Sequence, residues 1–450
     1  MKRSSNIWKR YQKKTECEII NYPVGRPTTS VKPCVIESEL GSLRFATYEI
    51  MDFRAGKRLF SVADDYFERS DPNEKLISAR FKELMNIWSC SIPSYRHVGE
   101  ALNRFRLEPE GVKLTWLRDN IEKDGMKMTA ALHEKAEFVL EANGFDKEGH
   151  LQPGVEVETN EHESYEDKTK NRQKEINDAK NKLELEGSIN PLDYEDPDTT
   201  VNISADDVLT NRQAINRPDS SEKGKRKYVS NTVIHVEHKD NDYIICDSYI
   251  KGAFTILMGF LAANGLIGMP LYVFFFDGAS NLRVPFETLF APFKYKIILD
   301  WYHLAKKVEQ RLSSGMKSYK LRHIFEDNVL MPLLWYGNVA GAIASLKDIP
   351  AEDVKSQEAI TKLIEYLIRN EKYIPCYAMR RELGLRNSSN TVEKANDLVV
   401  SERQKNRGMS WSREGSHGLA SVSAAWKNDE MNSWCMDKNL RFSFPINKAA

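Results

Sequence analysis

Two apolar stretches in this chain each end in an acid. Val273-Phe274-Phe275-Phe276 runs into Asp277-Gly278-Ala279, and Ile297-Ile298-Leu299 runs into Asp300-Trp301-Tyr302-His303. Each stretch reads as a buried strand. A carboxylate at the end of such a strand is costly to hold unless something pairs with it. Several carboxylates converging on one point suit a divalent cation, because Mg²⁺ and Ca²⁺ prefer hard oxygen ligands. Two Mg²⁺ ions about 3.5–4 Å apart can clamp the attacking and the leaving oxygen at a phosphorus centre. Zinc is not expected. Cys17, Cys34, Cys90, Cys246, Cys376 and Cys435 form no Cys-x-x-Cys pair, and no further Cys or His ligands surround His303.

The elements that would carry these acids can be read from the pattern. Residues 1–40 are polar, with Pro23, Pro27 and Pro33, and read as an irregular basic leader. Residues 41–156 carry apolar positions at helical spacing. Within them the helix around Ser94–Leu102 and a second near Val112–Lys123 fit either a helix-turn-helix reader of DNA or a plain bundle. Residues 157–198 are strongly charged and predict a solvated helix followed by a linker. The period then changes. Thr199–Val208, Tyr228–His238 and Tyr243–Asp247 predict strands, the second rich in β-branched residues. A helix over about 250–265, a strand over 270–276, a short helix near 284–292 and a strand over 295–300 follow. That order predicts an α/β fold, a mixed sheet with flanking helices. Residues 301–385 are helical again and read as an insertion, and 431–450 as a tail.

The chain has 450 residues, 29% charged and 41% hydrophobic, with a formal net charge of zero. This is ordinary globular composition, with room for two to four domains. A neutral chain gives no global support to nucleic-acid binding, so any such contact must use local basic faces. Three clusters offer one: Lys2, Arg3, Lys9, Arg10, Lys13 and Lys14; Lys223, Lys225, Arg226 and Lys227; and Arg403, Lys405, Arg407 and Arg413. Each could equally be a solvated surface. The apolar run Ala253–Leu266 is too short to span a bilayer, the N-terminus lacks the apolar core of a signal peptide, and the cysteine pattern suits a reducing interior.

Three blocks together resemble a known family. They are Val201-Asn202-Ile203-Ser204-Ala205-Asp206-Asp207-Val208; Phe276-Asp277-Gly278-Ala279 with Leu299-Asp300-Trp301-Tyr302-His303; and Asn387-Ser388-Ser389-Asn390-Thr391-Val392-Glu393-Lys394-Ala395-Asn396-Asp397, continuing to Gly408-Met409-Ser410-Trp411-Ser412. The chain resembles a bacterial insertion-sequence DDE transposase with an RNase H-like core, related to the Mutator-like superfamily, in which the Asp-x-x-His spacing of Asp300 and His303 is common. The resemblance covers roughly residues 199–430. It implies a catalytic core from 199–300 and 386–430, interrupted by the insertion before the last catalytic helix. It implies Asp206, Asp277 and Glu393 as catalytic metal ligands, two Mg²⁺ ions (or Mn²⁺ in their place), and metal-dependent cleavage of element ends followed by strand transfer into target DNA. It further implies DNA as partner, a dimer or larger assembly, and a bacterial cytoplasmic, nucleoid-associated setting. The remaining openings are an RNase H-like nuclease without strand transfer and a domesticated, catalytically silent DNA-binding protein.

Each residue has a structural rival. Adjacent strand residues point to opposite faces, so only one of Asp206 and Asp207 can be the ligand. The family pattern has Gly where Asp207 stands, and Asp206 is preferred. Asp277 could be a turn residue capping the next segment. Asn390 could cap a helix with Glu393 as its capping-box partner, and Asp397 one turn later is the rival ligand. Asp300 and His303 are near-site candidates. Arg403, Lys405, Arg407, Trp411 and Arg413 combine cations with an aromatic, as a surface meeting a nucleic-acid strand does, or simply end an amphipathic helix.

Overall fold

A five-stranded mixed sheet organises the larger part of the molecule. The structure, a computed structural model, describes residues 26–27, 31–52, 55–66, 74–106, 111–157, 163–186, 190–213 and 228–445. The basic clusters at 2–14 and 223–227 lie outside the described residues. The chain divides into two compact units, residues 1–118 and 119–450.

Helices occupy much of 79–142, as expected for 41–156, but the described part of 26–77 carries strands where an irregular leader and helical spacing were expected. The first unit contains β1 (Arg26–Pro27), β2 (Lys32–Ser38), β3 (Gly41–Thr47), β4 (Glu49–Asp52), β5 (Lys57–Ser61) and β6 (Leu76–Ile77). These form two three-stranded sheets, β1-β4-β5 and β3-β2-β6. β2 and β3 have seven residues each, but polar and charged residues along them leave no long apolar run or clean alternation to mark them. Helices α1 (Val62–Tyr66), α2 (Ala79–Ser91) and α3 (Tyr95–Phe105) complete it. Ser78 and Ser94 cap α2 and α3 with their hydroxyls. Arg106 Nη2 donates to the buried Glu37 at 2.6 Å, fastening the end of α3 to β2. The long α4 (Leu114–Ala142) begins here and far outruns the helix expected at 112–123.

In the second unit, α5 (Glu163–Lys182) is the charged helix, but it is not solvated all round. Ile176 and Ala179 pack with Tyr194, Cys376 and Met379. The sheet consists of β7 (Thr200–Asn211), β8 (Tyr228–His238), β9 (Asn241–Asp247), β10 (Leu271–Phe276) and β11 (Tyr295–Leu299), in the order β11-β10-β7-β8-β9. β7, β8 and β9 are antiparallel neighbours, while β10 runs parallel to β7 and β11 parallel to β10. The parallel steps need crossovers. These are α6 (Ile250–Ala263) and α7 (Ser280–Phe290). Every residue of β10 is buried, as its unbroken apolar run requires of a strand covered on both faces.

Two cores lie on the two faces. One face holds Ile203, Ala205, Phe274 and the helix residues Phe254, Phe260 and Phe286. Phe274 stacks on Phe286 and Phe286 on Phe290, with ring centroids 4.3 and 4.2 Å apart. Burying each such ring contributes roughly 1.5–3 kcal/mol. The other face holds Val208, Val233 and Cys246 against Val392, Val399, Val400 and Ala420.

Residues 301–382 supply the helices expected as an insertion: α8 (Trp301–Gly315), α9 (Tyr319–Phe325), α10 (Met331–Trp335), α11 (Val339–Lys347), α12 (Gln357–Asn370) and α13 (Tyr377–Glu382), with a π-helical stretch Glu326–Leu330 before α10. The Trp301 N–H donates to the Asn387 carbonyl at 2.9 Å, so the insertion leaves and rejoins the core at one point. The chain then forms α14 (Asn390–Asn396), the π-helix Asp397–Lys405, α15 (Arg413–Lys427) and α16 (Met431–Asp437). The end of the chain is more than a tail: Phe442 is buried and packs edge-on to Phe260 and Tyr243. Among the described residues no helix is long and apolar enough to cross a membrane.

Helices α4 and α15 touch backbone to backbone. A Cβ on Gly418 would lie 2.4 Å from the Glu122 carbonyl oxygen, and one on Gly125 only 1.8 Å from that of Gly418. Gly418→Ala is therefore expected to cost about 1–3 kcal/mol through overpacking. Urea denaturation measures this, and an unchanged midpoint would contradict the contact.

Candidate active site

Strand register sets three acids in a row. Phe275 pairs with Ser204 and Phe276 with Leu299. One or two residues on, Asp206, Asp277 and Asp300 come level across β7, β10 and β11. Gly278 makes the turn after Asp277 with φ +95°, and a Cβ there would lie 3.0 Å from the Tyr366 hydroxyl. Asp277 Oδ1 accepts the Ala279 N–H at 2.8 Å, so it serves the turn as well as facing the site.

The two adjacent acids of β7 divide between the faces. Asp207 accepts from the Thr232 hydroxyl at 2.6 Å and from the side-chain amide of Asn281, on α7, at 2.8 Å. Asp206 accepts from the Asn396 side-chain amide at 2.7 Å, and Asn396 closes α14. The face carrying Asp206 is thus the one on which α14 packs, and α14 carries Glu393.

Glu393 is not a capping-box residue. The helix starts one residue earlier than that reading requires: Ser389 is the cap position, Asn390 the first helical residue, and no side chain caps the helix. The Ser389 hydroxyl and N–H both donate instead to Asp300 Oδ2, the hydroxyl at 2.9 Å. Glu393 stands one helical turn before Asn396, on the same side of α14. Asp397 is exposed. Asn396, the residue before it, is the one that reaches the site.

Asp300 is fully buried and caps α8. Its Oδ1 accepts the His303 N–H at 2.8 Å and lies 3.1 Å from His303 Nδ1. Burial alone would raise its carboxyl. The hydrogen bonds from the His303 ring, the His303 N–H and the Ser389 N–H outweigh that and hold it below the usual range. In return the bond to Asp300 raises the His303 imidazole against its burial, with further help from Asp277 and Glu393. The other ring nitrogen, Nε2, faces Glu393 Oε1 at 3.9 Å.

The remaining acids are under the opposite stress. Burial pushes the Asp206 carboxyl up. The Asp207 N–H pulls it down, Asp277 pushes it further up, and His303 offsets part of that. Burial and Asp277 likewise raise Asp207 against its hydrogen bonds from Thr232 and Asn281. Burial raises Glu393; His303 and Lys306 counter it while Asp300 and Asp206 add to it. Among the described residues no group of three or more His, Cys, Asp and Glu side chains forms a ready-made metal site. The donor chemistry of Asp206, Asp277 and Glu393 nevertheless fits Mg²⁺ or Mn²⁺: all are hard oxygens, and their mutual repulsion is what a divalent cation relieves.

The residues expected to meet DNA separate. Arg403 and Trp411 are buried, with the guanidinium 5.4 Å from the indole centroid and Trp411 Nε1 donating to the Gln404 carbonyl at 3.1 Å. Their pairing packs the π-helix against the end of β7, which removes both from any binding surface. Lys405, Arg407 and Arg413 are exposed. Sequence reasoning missed Ser389, Asn396 and Asn281. Only the spacing of Asn396, one turn beyond Glu393, could have flagged one of them. No family model, curated protein or solved structure matches the chain.

Asp300→Ala is expected to lose at least about 3 kcal/mol, because several buried donors lose their acceptor. The pair also sets a pH window. The Asp300 contribution is present above the ordinary carboxyl value near 3.8 and fades as pH falls through its lowered value. The His303 contribution is full below 6.5 and fades as pH rises through its raised value. The stability gap between wild type and His303→Gln should therefore be larger at pH 6 than at pH 9 in urea melts. A gap that grows towards pH 9 would contradict the pairing.

Proposed function

We propose that this chain is a DNA transposase of the DDE type, built on an RNase H-like core. The observation that carries the reading is that Asp206 feels the charge of Asp277 and Glu393 that of Asp206, in a sheet ordered β9-β8-β7-β10-β11. Those three acids come from a first strand, a fourth strand and a late helix, and each sits in the field of others or of His303. Mg²⁺ held by Asp206, Asp277 and Glu393 would supply stabilisation of phosphate charge and a more acidic water.

The chain's own residues do the rest. Asn396 orients Asp206 by its amide. Ser389 and Asp300 hold the start of α14, and so Glu393, against β11. His303, kept protonated to higher pH than a free imidazole, presents positive charge at Nε2 beside Glu393, where phosphate charge would develop. Cleavage at an element end and joining of the released 3′-hydroxyl to target DNA are both in-line displacements at phosphorus, so one set of carboxylates serves both. Two ends must be joined, and two or more copies of the chain on DNA follow from that. An RNase H-like nuclease would share the cleavage step and lack the joining step.

The test uses duplex oligonucleotides carrying the DNA that flanks the coding sequence, with Mg²⁺ or Mn²⁺. Wild type should nick and then join strands. Asp277→Ala and Glu393→Gln should fall about 10³-fold or more, the scale on which removing transition-state charge stabilisation acts. Mg²⁺ should raise the Tm of the wild type and leave that of Asp277→Ala unmoved. Full cleavage by Asp277→Ala would sink the site, and cleavage with no joining would favour the nuclease.

A further inference from the structure

The insertion sends one side chain into this site. Tyr366 lies on α12, with its ring buried among the core residues. Its hydroxyl reaches Gly278: the Cβ position there is 3.0 Å from Tyr366 Oη and 3.5 Å from Cε2. Gly278 follows Asp277 directly, so the phenol stands at the mouth of the carboxylate row. Neighbouring tyrosines are satisfied within the protein. Tyr377 donates to the Leu299 carbonyl at 2.7 Å, and Tyr373 to Glu287 at 3.1 Å. Among the described residues nothing shares a hydrogen bond with the Tyr366 hydroxyl. The hydroxyl is not sealed in, so it stays open as a donor to whatever lies beside the acids. Burial first, and then the charges of Asp277 and Asp300, keep the phenol protonated, which leaves it a donor. Lys307, its ammonium 5.9 Å from the ring centroid, adds positive charge near the phenol, which suits an anionic ligand.

We propose that Tyr366 is a substrate-contacting residue, its hydroxyl donating a hydrogen bond to a non-bridging oxygen of the phosphate diester bound beside Asp277. The inference rests on the phosphodiester-cleaving reading above. It gives the insertion a direct part in the chemistry, as the source of one donor that the sheet does not provide.

The experiment compares full-length wild type with Tyr366→Phe, which keeps the ring. Single-turnover cleavage is measured on the flanking-DNA duplex with an all-oxygen scissile phosphate and with each phosphorothioate diastereomer there, alongside DNA affinity and Tm. Tyr366→Phe should cleave the all-oxygen substrate about ten- to hundredfold more slowly, the scale of one hydrogen bond to a charged group, with affinity and Tm held. The deficit should shrink for one diastereomer, the one in which sulfur replaces the accepting oxygen. Equal rates for wild type and Tyr366→Phe would overturn the inference and leave the proposed function standing. So would a deficit identical for both diastereomers and the all-oxygen substrate, which would mean that the hydroxyl acts through packing. No cleavage by wild type with either metal would overturn the proposed function, and this inference with it.

Discussion

The carboxylate of Asp300 is the constraint on which the site depends. A buried charge costs several kcal/mol unless its lone pairs are met. Here they are met by Ser389 and His303, and by the N-terminus of α8, whose exposed N–H groups and dipole favour an anion. One side chain therefore fixes three things: the start of the insertion, the start of α14, and the tilt of the imidazole. Glu393 owes its position to the second and His303 its charge to the third.

Asp206, Asp207 and Glu393 are compensated less completely. They are raised by burial and by one another, where Asp300 is lowered by donors. The same residue type, at the ends of neighbouring strands, thus plays two opposite physical parts. A carboxylate whose acceptors are met holds the architecture, and the less fully met ones are pushed towards the protonated form. Carboxyl groups left under such stress are common where a protein does chemistry, since stability alone would remove them.

Much of this was legible in the sequence. The unbroken apolar run of β10 and its terminal Asp277 announced both the central strand and its acid. The strands from β7 to β11 and the helices between them fall close to where alternation and apolar runs placed them. The site was legible only as a list of acids. Asp206 and Asp207 could not be separated until α14 was seen to pack on the face of Asp206, because that contact joins residues far apart in the chain. Ser389 looked like one more polar residue in the run Arg386–Thr391. Arg403 and Trp411 misled because a cation beside an aromatic looks alike on a surface and in a core. The strands before residue 80 were hidden because polar and charged residues interrupt them, as in Lys32–Ser38 and Gly41–Thr47.

The bond from the Trp301 N–H to the Asn387 carbonyl has a consequence for how such a site can form at all. Glu393 is separated from β11 by a long stretch of chain, and closing an unstructured loop of that order costs roughly 4–5 kcal/mol of chain entropy. The helices of the insertion make mostly local contacts, which form early and cheaply. Once folded, they bring positions 301 and 387 within a hydrogen bond of each other. The insertion then works as a staple does, shortening the effective path between the last strand and the last acid. To the rest of the core, α14 follows β11 almost as if the two were joined by a tight turn.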